Sequence, residues 1–282
     1  LSYDFTLDKK MNCKSLFITV SYNNIKATIC YIHSWLELND SEQNILIVVD
    51  NSTEQDTLLK SMLEKYNHIH YVRQGSNKGY MSGCNFGLAY AKNMLNVIPE
   101  TIIYTNNDIT FETSDLISQV VNIFKSDPEV AVVAPAVWDV NEKKELNPFM
   151  LNRPALKHFI IMKAIYSNFI TAKIVDWISK HRPRKKKIIP VKGCELYAPH
   201  GSIFMLKGDY FYDDLPDDAY FLYGEEISIA ERCLKMGKKV KMFPNIIIHH
   251  HSHSTTGASL SYFTYKAKKK AISYLLKQYA WK

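Results

Sequence analysis

Two short apolar runs rich in β-branched residues constrain the fold of this 282-residue chain most strongly. They cover residues 16–20 and 45–49, and runs of this kind are typical of parallel strands buried on both faces. Apolar side chains at helical spacing follow each run, over residues 27–38 and 58–66. This alternation of strand and helix predicts an α/β fold.

The alternation continues along the chain, and its first half, up to residue 105, is Rossmann-like. Pro135 is expected to end a strand that begins at Val130, because proline cannot donate to a sheet ladder. The further predicted strands are 70–72, 101–105, 130–134, 202–206 and 240–243, and the further predicted helices are 80–95, 114–125, 226–236 and 262–279.

Residues 158–178 form the longest apolar region, which Lys163, Lys173 and Asp176 interrupt. These charges argue against a membrane span and predict a single amphipathic helix. Two interpretations remain open for it. It is either an ordinary surface or core helix, or an interfacial helix that lies on a membrane beside the basic cluster Arg182–Lys187.

The composition is that of a globular protein, with 46% hydrophobic and 22% charged residues. The net charge of +7 is concentrated in the cluster 182–187 and in a second cluster at 266–270. These clusters are either solvated faces or surfaces for phosphate or membrane, and nucleic acid is not expected because aromatic residues do not interleave them. Five scattered cysteines without a C-x-x-C pair, and an N-terminus without an apolar core, predict a cytoplasmic location.

Polar residues follow the predicted strands, and in such sheets ligands bind beyond the carboxyl ends of the strands. Asp50 either binds a pyrimidine imide or a ribose hydroxyl, or caps a loop. Within the triplet Asn106-Asn107-Asp108, the carboxylate of Asp108 suits a divalent metal, although in isolation an Asx turn explains the triplet better.

Glycines recur every four residues at Gly79, Gly83 and Gly87, which predicts one helix face packed closely on the sheet. That packing leaves Asn77 and Asn85 unexplained, and the helix start near residue 80 suits a phosphate. The segment is neither a dinucleotide-binding motif nor a P-loop.

Two further segments carry chemistry. Glu225 and Glu226 open a helix, where one carboxylate can serve as a catalytic base or both can form an ordinary acidic first turn. Four histidines fall between residues 249 and 253, and they either complete a metal site with Asp108 or form a structural cluster.

In their order along the chain, these segments resemble the family 2 glycosyltransferases of the GT-A fold, especially the rhamnosyltransferase-like branch that builds bacterial surface polysaccharides. The resemblance runs from about residue 17 to residue 254. Its landmarks are 20–23, 49–52, 77–87, 106–108, Gly201-Ser202, 223–232, and Pro244 with His250.

The resemblance implies a single GT-A catalytic domain over residues 14–256, with a Rossmann-like mixed sheet flanked by helices, and a C-terminal helical extension over residues 257–282. It implies that Asp108 and His250 hold Mg²⁺ or Mn²⁺, although Asn106 replaces the first aspartate of the family's D-x-D motif. Glu226 is then the base, with Glu225 beside it. The residues expected to bind the nucleotide sugar are Tyr22, Asn23, Asp50, Asn77, Gly79, Asn106 and Asn107.

The expected activity is inverting, metal-dependent transfer of a sugar from a nucleotide diphosphate to a glycan or lipid-linked saccharide, in the cytoplasm or at the inner face of the plasma membrane. A sugar nucleotidyltransferase is an alternative, but residues 21–24 lack the Gly-rich basic loop expected of one. Asn106, and Ser228 where the branch often has aspartate, also suit a catalytically degenerate module that only binds glycan.

Overall fold

The computed structural model describes residues 11–181, 191–252 and 260–279. Within these ranges the strands join in one mixed sheet flanked by helices. The strands are β1 Met11–Ser21, β2 Ile45–Asp50, β3 Ile69–Arg73, β4 Val97–Asn106, β5 Ile109–Phe111, β6 Val130–Asp139, β7 Lys144–Glu145, β8 Cys194–Leu196, β9 Ile203–Lys207 and β10 Lys239–His250. The helices are α1 Ile25–Leu36, α2 Thr57–Leu63, α3 Tyr80–Met94, α4 Leu116–Ser126, α5 Leu156–Ile165, α6 Phe169–His181, α7 Gly208–Phe211, α8 Glu225–Lys235 and α9 Tyr262–Gln278.

The first half of the sheet is parallel, in the order β3-β2-β1-β4. Leu16 pairs with Ile45 on one side and with Ile102 on the other, and every residue of β2 is buried. Helices therefore cover both faces, as the continuous apolar runs predict. The Rossmann-like first half is confirmed.

The second half makes the sheet mixed. Strand β9 lies antiparallel between β4 and β6, β10 runs parallel to β6, and β5 pairs antiparallel with β10. The carboxyl ends of β1, β4, β6 and β10 consequently lie along one edge of the sheet. This edge carries the candidate site.

The prediction that Pro135 ends its strand was wrong, because β6 continues to Asp139. The neighbouring strand accommodates the proline through a register shift between Phe243 and Ile247, the residues that pair with Pro135 and Ala136. A bulge of this kind is where a sheet tolerates proline.

The prediction of a single helix over residues 158–178 was also wrong. Two helices, α5 and α6, are separated by a short turn. Asn168 breaks the helical pattern, because its side-chain oxygen accepts the backbone N–H of Ile170 at 2.7 Å in place of an intrahelical partner. The neighbouring basic cluster at 182–187 lies outside the described residues.

Close packing of α3 on the sheet explains two of the three recurring glycines. A Cβ at Gly83 would lie 2.9 Å from a methyl group of Val20, and one at Gly87 would lie 2.6 Å from a methyl group of Ile18. Both approaches are shorter than a normal carbon–carbon contact. The predicted helix-on-sheet packing is confirmed at these positions.

Helix α9 packs against the rest of the chain. Leu275 shares a buried cluster with Phe159 of α5 and Ile227 of α8, and Tyr265 stacks on Tyr166 with ring centroids 6.1 Å apart. None of the helices in the described ranges is long and apolar enough to cross a membrane.

Candidate active site

A cavity of about 610 Å³ lies at the carboxyl edge of the sheet. Its size is in the range of small-molecule sites. Residues from the parallel half, from the second half and from the start of α9 line it. Of the predicted site residues, those on its wall are Tyr22, Asn77, Gly79, Asn106, Asn107, Asp108, Glu225, Glu226 and His250.

Asp108 and His250 form a pair on this wall. Asp108 follows β4 and His250 ends β10, and Asp108 Oδ1 lies 3.3 Å from His250 Nε2. The backbone N–H of His251 donates to the carbonyl oxygen of Asp108 at 2.8 Å, which fixes the two segments side by side.

This pair fits a divalent metal that takes its remaining ligands from phosphate oxygens and water, since carboxylate and imidazole both bind Mn²⁺ and carboxylate suits Mg²⁺. Both side chains are largely buried, and Nδ1 of His250 has no hydrogen-bond partner among the described residues. The described ranges contain no group of three or more metal-binding side chains.

Strand geometry distinguishes the histidines. Successive side chains of β10 point to opposite faces of the sheet. His249 contacts Glu112 Oε2 at 2.6 Å, whereas His250 lines the cavity. His251 follows the strand and lies 3.2 Å from Thr110 Oγ1. Among the described histidines of this segment only His250 faces Asp108, and His253 lies outside the described residues.

The two glutamates at the start of α8 occupy different environments. Glu225 is buried and accepts the backbone N–H of Gly224 at 2.6 Å, so it caps its own helix. Glu226 lies on the cavity wall against Gly201, whose backbone N–H its carboxylate accepts. A Cβ at position 201 would lie only 2.7 Å from Oε1 of Glu226. Gly201 therefore makes room for this carboxylate.

The pKa of Glu226 is raised to about 8, first by burial and then by the neighbouring charge of Glu225. Backbone hydrogen bonds and Lys268 of α9 oppose the rise. Burial also raises the pKa of Glu225. A carboxyl group that titrates near neutral pH is suited to general acid–base chemistry, because it gives and takes protons in the working range.

Another part of the wall is built by residues that follow β1, β2, β3 and β4. Asn77 accepts the backbone N–H of Gly79 at 3.0 Å, and Asn107 donates to Thr28 Oγ1 at 2.8 Å. Asn51 donates to the carbonyl oxygen of Gly79 at 3.2 Å. These bonds hold the loops rigid while Tyr22, 37% exposed, remains accessible.

A glycine is needed at position 79 for a reason other than helix packing. Its φ is +102°, which disfavours other residues, and a Cβ there would lie 2.1 Å from the carbonyl oxygen of Phe221. The glycine lets the segment around Phe221, which leads into α8, close over the start of α3. It thereby brings the loop of the parallel half next to the glutamates.

The sequence matches the family model "Glycosyl transferase family 2" over residues 16–197, which is more than half of the chain. The chain belongs to glycosyl transferase family 2. Membership and the placement of the carboxylates in one cavity support a role in glycosyl transfer. Among curated proteins, no sequence is similar enough to count as a relative.

Solved structures show the same fold as this family 2 glycosyltransferase. Staphylococcus aureus TarS matches with a TM-score of 0.55 at 11% identity, over 84% of this chain and 36% of TarS. GalNAc-T7 with UDP, GalNAc and Mn²⁺ matches with a TM-score of 0.61 at 13% identity, over 93% of this chain and 48% of that one. TarS 1–349 with UDP matches with a TM-score of 0.54 at 11% identity, over 93% and 65%.

The chain thus spans between about a third and two thirds of the length of these structures. At this level of identity the likeness shows the fold. The predicted GT-A fold is confirmed, and the assignment to the rhamnosyltransferase-like branch stays a prediction.

Two predicted donor-binding residues of the glycosyltransferase lie away from the cavity wall. Asp50 is buried, accepts the hydroxyl of Tyr71 and the N–H of Ser52, and lies 3.7 Å from Nε of Arg73. Asn23 is exposed, with its backbone N–H donated to Ser52 Oγ at 2.9 Å. Direct contact of either residue with the nucleotide remains a prediction.

The glycosyltransferase cavity includes residues that the sequence reasoning did not select. Asp139 ends β6, so the strand-end rule that selected Asp50 and Asp108 also applies to it. His200 precedes the Gly201 landmark, and its ring centroid lies 5.6 Å from that of His250. Phe221 and Phe263 carry no local signal, because the chain brings them together across 42 residues.

Ser228, where aspartate was expected from the resemblance, is fully buried and does not line the cavity. Its hydroxyl accepts that of Tyr279 at 3.2 Å. It therefore connects α8 to the end of α9.

Proposed function

We propose that this family 2 enzyme is an inverting, metal-dependent glycosyltransferase that moves a hexosyl or deoxyhexosyl group from a nucleoside diphosphate to a hydroxyl of a glycan or lipid-linked saccharide. One observation carries the proposal. The Asp108–His250 pair and the high-pKa carboxylate of Glu226 open into the same cavity, which has room for a donor. A binding site for a diphosphate and a base for an acceptor are thus adjacent.

The donor end is assigned to the carboxyl edge of the parallel strands. Tyr22, Asn77, Asn106 and Asn107 offer an aromatic ring and amide groups to a nucleoside and its phosphates. Asp50 would act here either directly or by holding the loop through Ser52. Two solved structures of the same fold hold UDP, one of them also Mn²⁺, which makes a nucleoside diphosphate and a divalent metal the first ligands to test.

Asp108 and His250 would hold Mg²⁺ or Mn²⁺, which neutralises the charge of the diphosphate as it leaves. Glu226 would accept the proton of the acceptor hydroxyl. The acceptor oxygen then forms its bond to the anomeric carbon while the bond to the diphosphate oxygen breaks, on the opposite face of the sugar. A single displacement of this kind inverts the anomeric configuration.

Gly201 positions the base, and Glu225, which also lines the cavity, sets its proton affinity. The N–H of Gly201 bonds to the carboxylate of Glu226, and the charge of Glu225 keeps its proton affinity high. We infer a setting in bacterial surface polysaccharide synthesis, such as a capsule, from the sequence landmarks shared with the rhamnosyltransferase-like branch. We also propose that the enzyme acts in the cytoplasm.

A thermal-shift screen of nucleotide sugars, with and without Mn²⁺, tests this function. A donor that binds the folded state raises the melting temperature, and binding at 100 times Kd contributes about 2.7 kcal/mol. We expect at least one nucleoside diphosphate sugar to stabilise the protein more in the presence of Mn²⁺. Stabilisation by nucleoside triphosphates and sugar phosphates, with pyrophosphate release, would instead indicate a nucleotidyltransferase. Product NMR then reads the anomeric configuration, and retention would contradict the single displacement.

A further inference from the structure

Helices α5 and α6 expose an unusual amount of apolar surface. Five large side chains on the two helices are more than half exposed. They are Ile160 (53%), Ile161 (56%), Ile170 (66%), Ile174 (52%) and Trp177 (62%). Single exposed apolar residues are ordinary, but five large ones on two consecutive helices indicate a binding surface. We call these five residues the apolar hairpin face.

The spacing on α6 shows that this exposure is organised. Ile170, Ile174 and Trp177 recur at intervals of four and three, so they lie along one side of the helix. The buried side chain of the same helix, Ala172, packs with Tyr166 and Tyr265 of α9. The helix is thus attached to the protein through a different side from the one it exposes.

The surroundings of the apolar hairpin face are basic. Residues 156–181 contain four lysines and one acidic residue, Asp176. Lys157, Lys163 and Lys173 are exposed. An apolar stripe flanked by lysines, with a tryptophan on it, is the pattern of a helix that lies in the interface of an anionic bilayer.

A second copy of the chain fits this surface less well. Most protein dimers are twofold symmetric, and twofold contact places the same patch of each subunit together. Such a dimer would place the patch that carries Lys163 and Lys173 against the same positively charged patch of the other copy. Like charges across an interface are unfavourable, whereas an anionic lipid surface neutralises them.

The apolar hairpin face continues to the mouth of the cavity through a row of aromatic rings. The ring of Phe169, at the start of α6, lies 5.4 Å from that of Tyr262. The next residue, Phe263, is 56% exposed and lies 5.5 Å from Phe221, and both of these phenylalanines line the cavity. A surface that holds the hairpin therefore also lies next to the opening where the acceptor enters.

We propose that the apolar hairpin face docks the enzyme on an anionic lipid bilayer and so presents the cavity to a saccharide carried by a lipid in that bilayer. The choice of acceptor rests on the proposed function, whereas the docking itself does not. Lysines would contact the headgroups while Ile170, Ile174 and Trp177 enter the boundary with the acyl chains.

Flotation of the purified full chain with vesicles tests the docking. We expect binding to vesicles of phosphatidylglycerol and phosphatidylcholine in equal parts, and little binding to phosphatidylcholine alone. The double variant Ile174→Ser/Trp177→Ser should bind at least about tenfold more weakly, because it removes apolar area from the interface. The matched control is Leu58→Ser/Met94→Ser, which changes two side chains of α2 and α3 that are 60% and 71% exposed, and it should bind like the wild type.

Tryptophan fluorescence gives a readout from the unaltered protein. Brominated lipids should quench the wild type more than Trp177→Phe, because Trp177 lies on the apolar hairpin face, whereas Trp35 is fully buried and Trp138 and Trp281 are the same in both proteins. Equal vesicle binding by the two double variants would overturn the proposal. So would a stable dimer in sedimentation that the hairpin variant alone abolishes, together with no binding to anionic vesicles.

The two proposals fail separately. Transfer to a soluble saccharide without vesicle binding would overturn the docking and leave the glycosyltransferase assignment intact. Vesicle binding without stabilisation by any nucleotide sugar would do the reverse.

Discussion

The carboxylate of Glu226 lies so close to Gly201 that a Cβ at position 201 would be 2.7 Å from Oε1. The atom in the way is the end of a flexible side chain rather than backbone. A larger residue at 201 would therefore displace the glutamate and leave the sheet unchanged. A substitution at this position should therefore move the proposed base without destabilising the fold.

Gly201→Ala should lower kcat by about 10- to 100-fold, because small displacements of a catalytic group are costly. The donor contacts on the opposite wall are untouched, so the KM for the donor and the melting temperature should stay near those of the wild type. Steady-state kinetics and thermal denaturation check this. An unchanged kcat would show that Glu226 does not need its place against Gly201.

The pH dependence of the reaction should report Glu226. A base works in its ionised form, and burial together with Glu225 raises the pKa of Glu226 to about 8. We expect kcat/KM for the acceptor to rise with pH, by about tenfold per unit at low pH, and to level off above about 8. Other groups near it are Lys268, Tyr220 and Tyr223. The tyrosines have raised pKa values and stay neutral in this range.

The variant Glu225→Gln tests whether the pKa of Glu226 sets the midpoint of this pH profile. It removes a neighbouring negative charge that raises the pKa of Glu226, so the midpoint of the profile should move to lower pH. The amide can still accept the N–H of Gly224, which preserves the start of α8. A midpoint that stays in place, or moves upward, would mean that another group controls the profile.

Stability should show the cost of burying the same carboxyl group. The pKa of Glu226 is about 8 in the folded state, and its ordinary value is 4.5. Between these two pH values the folded state therefore binds more protons than the unfolded state. The group's contribution to stability is then favourable at low pH and is lost as pH rises through 8. Glu226→Gln removes this loss. Its melting temperature, measured relative to the wild type, should therefore increase from pH 5 to pH 8, and a constant difference would contradict the buried state of the carboxyl.

The histidine segment contains its own control. His250→Ala should abolish the extra stabilisation that Mn²⁺ gives to a bound nucleoside diphosphate, since it removes one of the two paired side chains. His249→Ala changes the adjacent histidine, which points away to Glu112, and should keep that effect. Thermal shift with the diphosphate alone and with Mn²⁺ measures both. Equal behaviour of the two variants would argue against His250 as a ligand.

The parallel half of the fold could be predicted from the sequence because its central strands β1 and β2 contain continuous apolar runs. The ends of those strands then located Asp108, and alternation along β10 would have selected His250 from its neighbours. Prediction from local sequence patterns failed where tertiary contacts determine the ends of a strand or helix. Strand β6 passes Pro135 because of a bulge in the neighbouring strand, and Asn168 ends a helix that hydrophobic spacing alone would continue.

In the site, residue identity alone does not predict the role of a carboxylate. Glu225 and Glu226 are adjacent, chemically identical and both on the cavity wall, yet Glu225 accepts the N–H of Gly224 beside it and Glu226 accepts that of the distant Gly201. Asp50 and Asp108 each follow a strand, but Tyr71 and Arg73 surround the first and His250 faces the second. These differences depend on segments distant in sequence, and Phe221 and Phe263 meet for the same reason.

The central claim is that Glu226 is the base and Asp108 the metal-binding carboxylate. The most direct test measures the rate at which Glu226→Gln and Asp108→Ala release nucleoside diphosphate from the donor found to stabilise the protein, in the presence of Mn²⁺ and acceptor. We expect each variant to be slower than the wild type by at least about 100-fold, the size of effect typical of a lost base or charge-stabilising group. The controls Glu64→Gln and Asp209→Ala change exposed carboxylates, one directly after α2 and one on α7, and should retain the wild-type rate. Near-wild-type rates in both site variants would contradict the assignment of the base and of the metal-binding carboxylate.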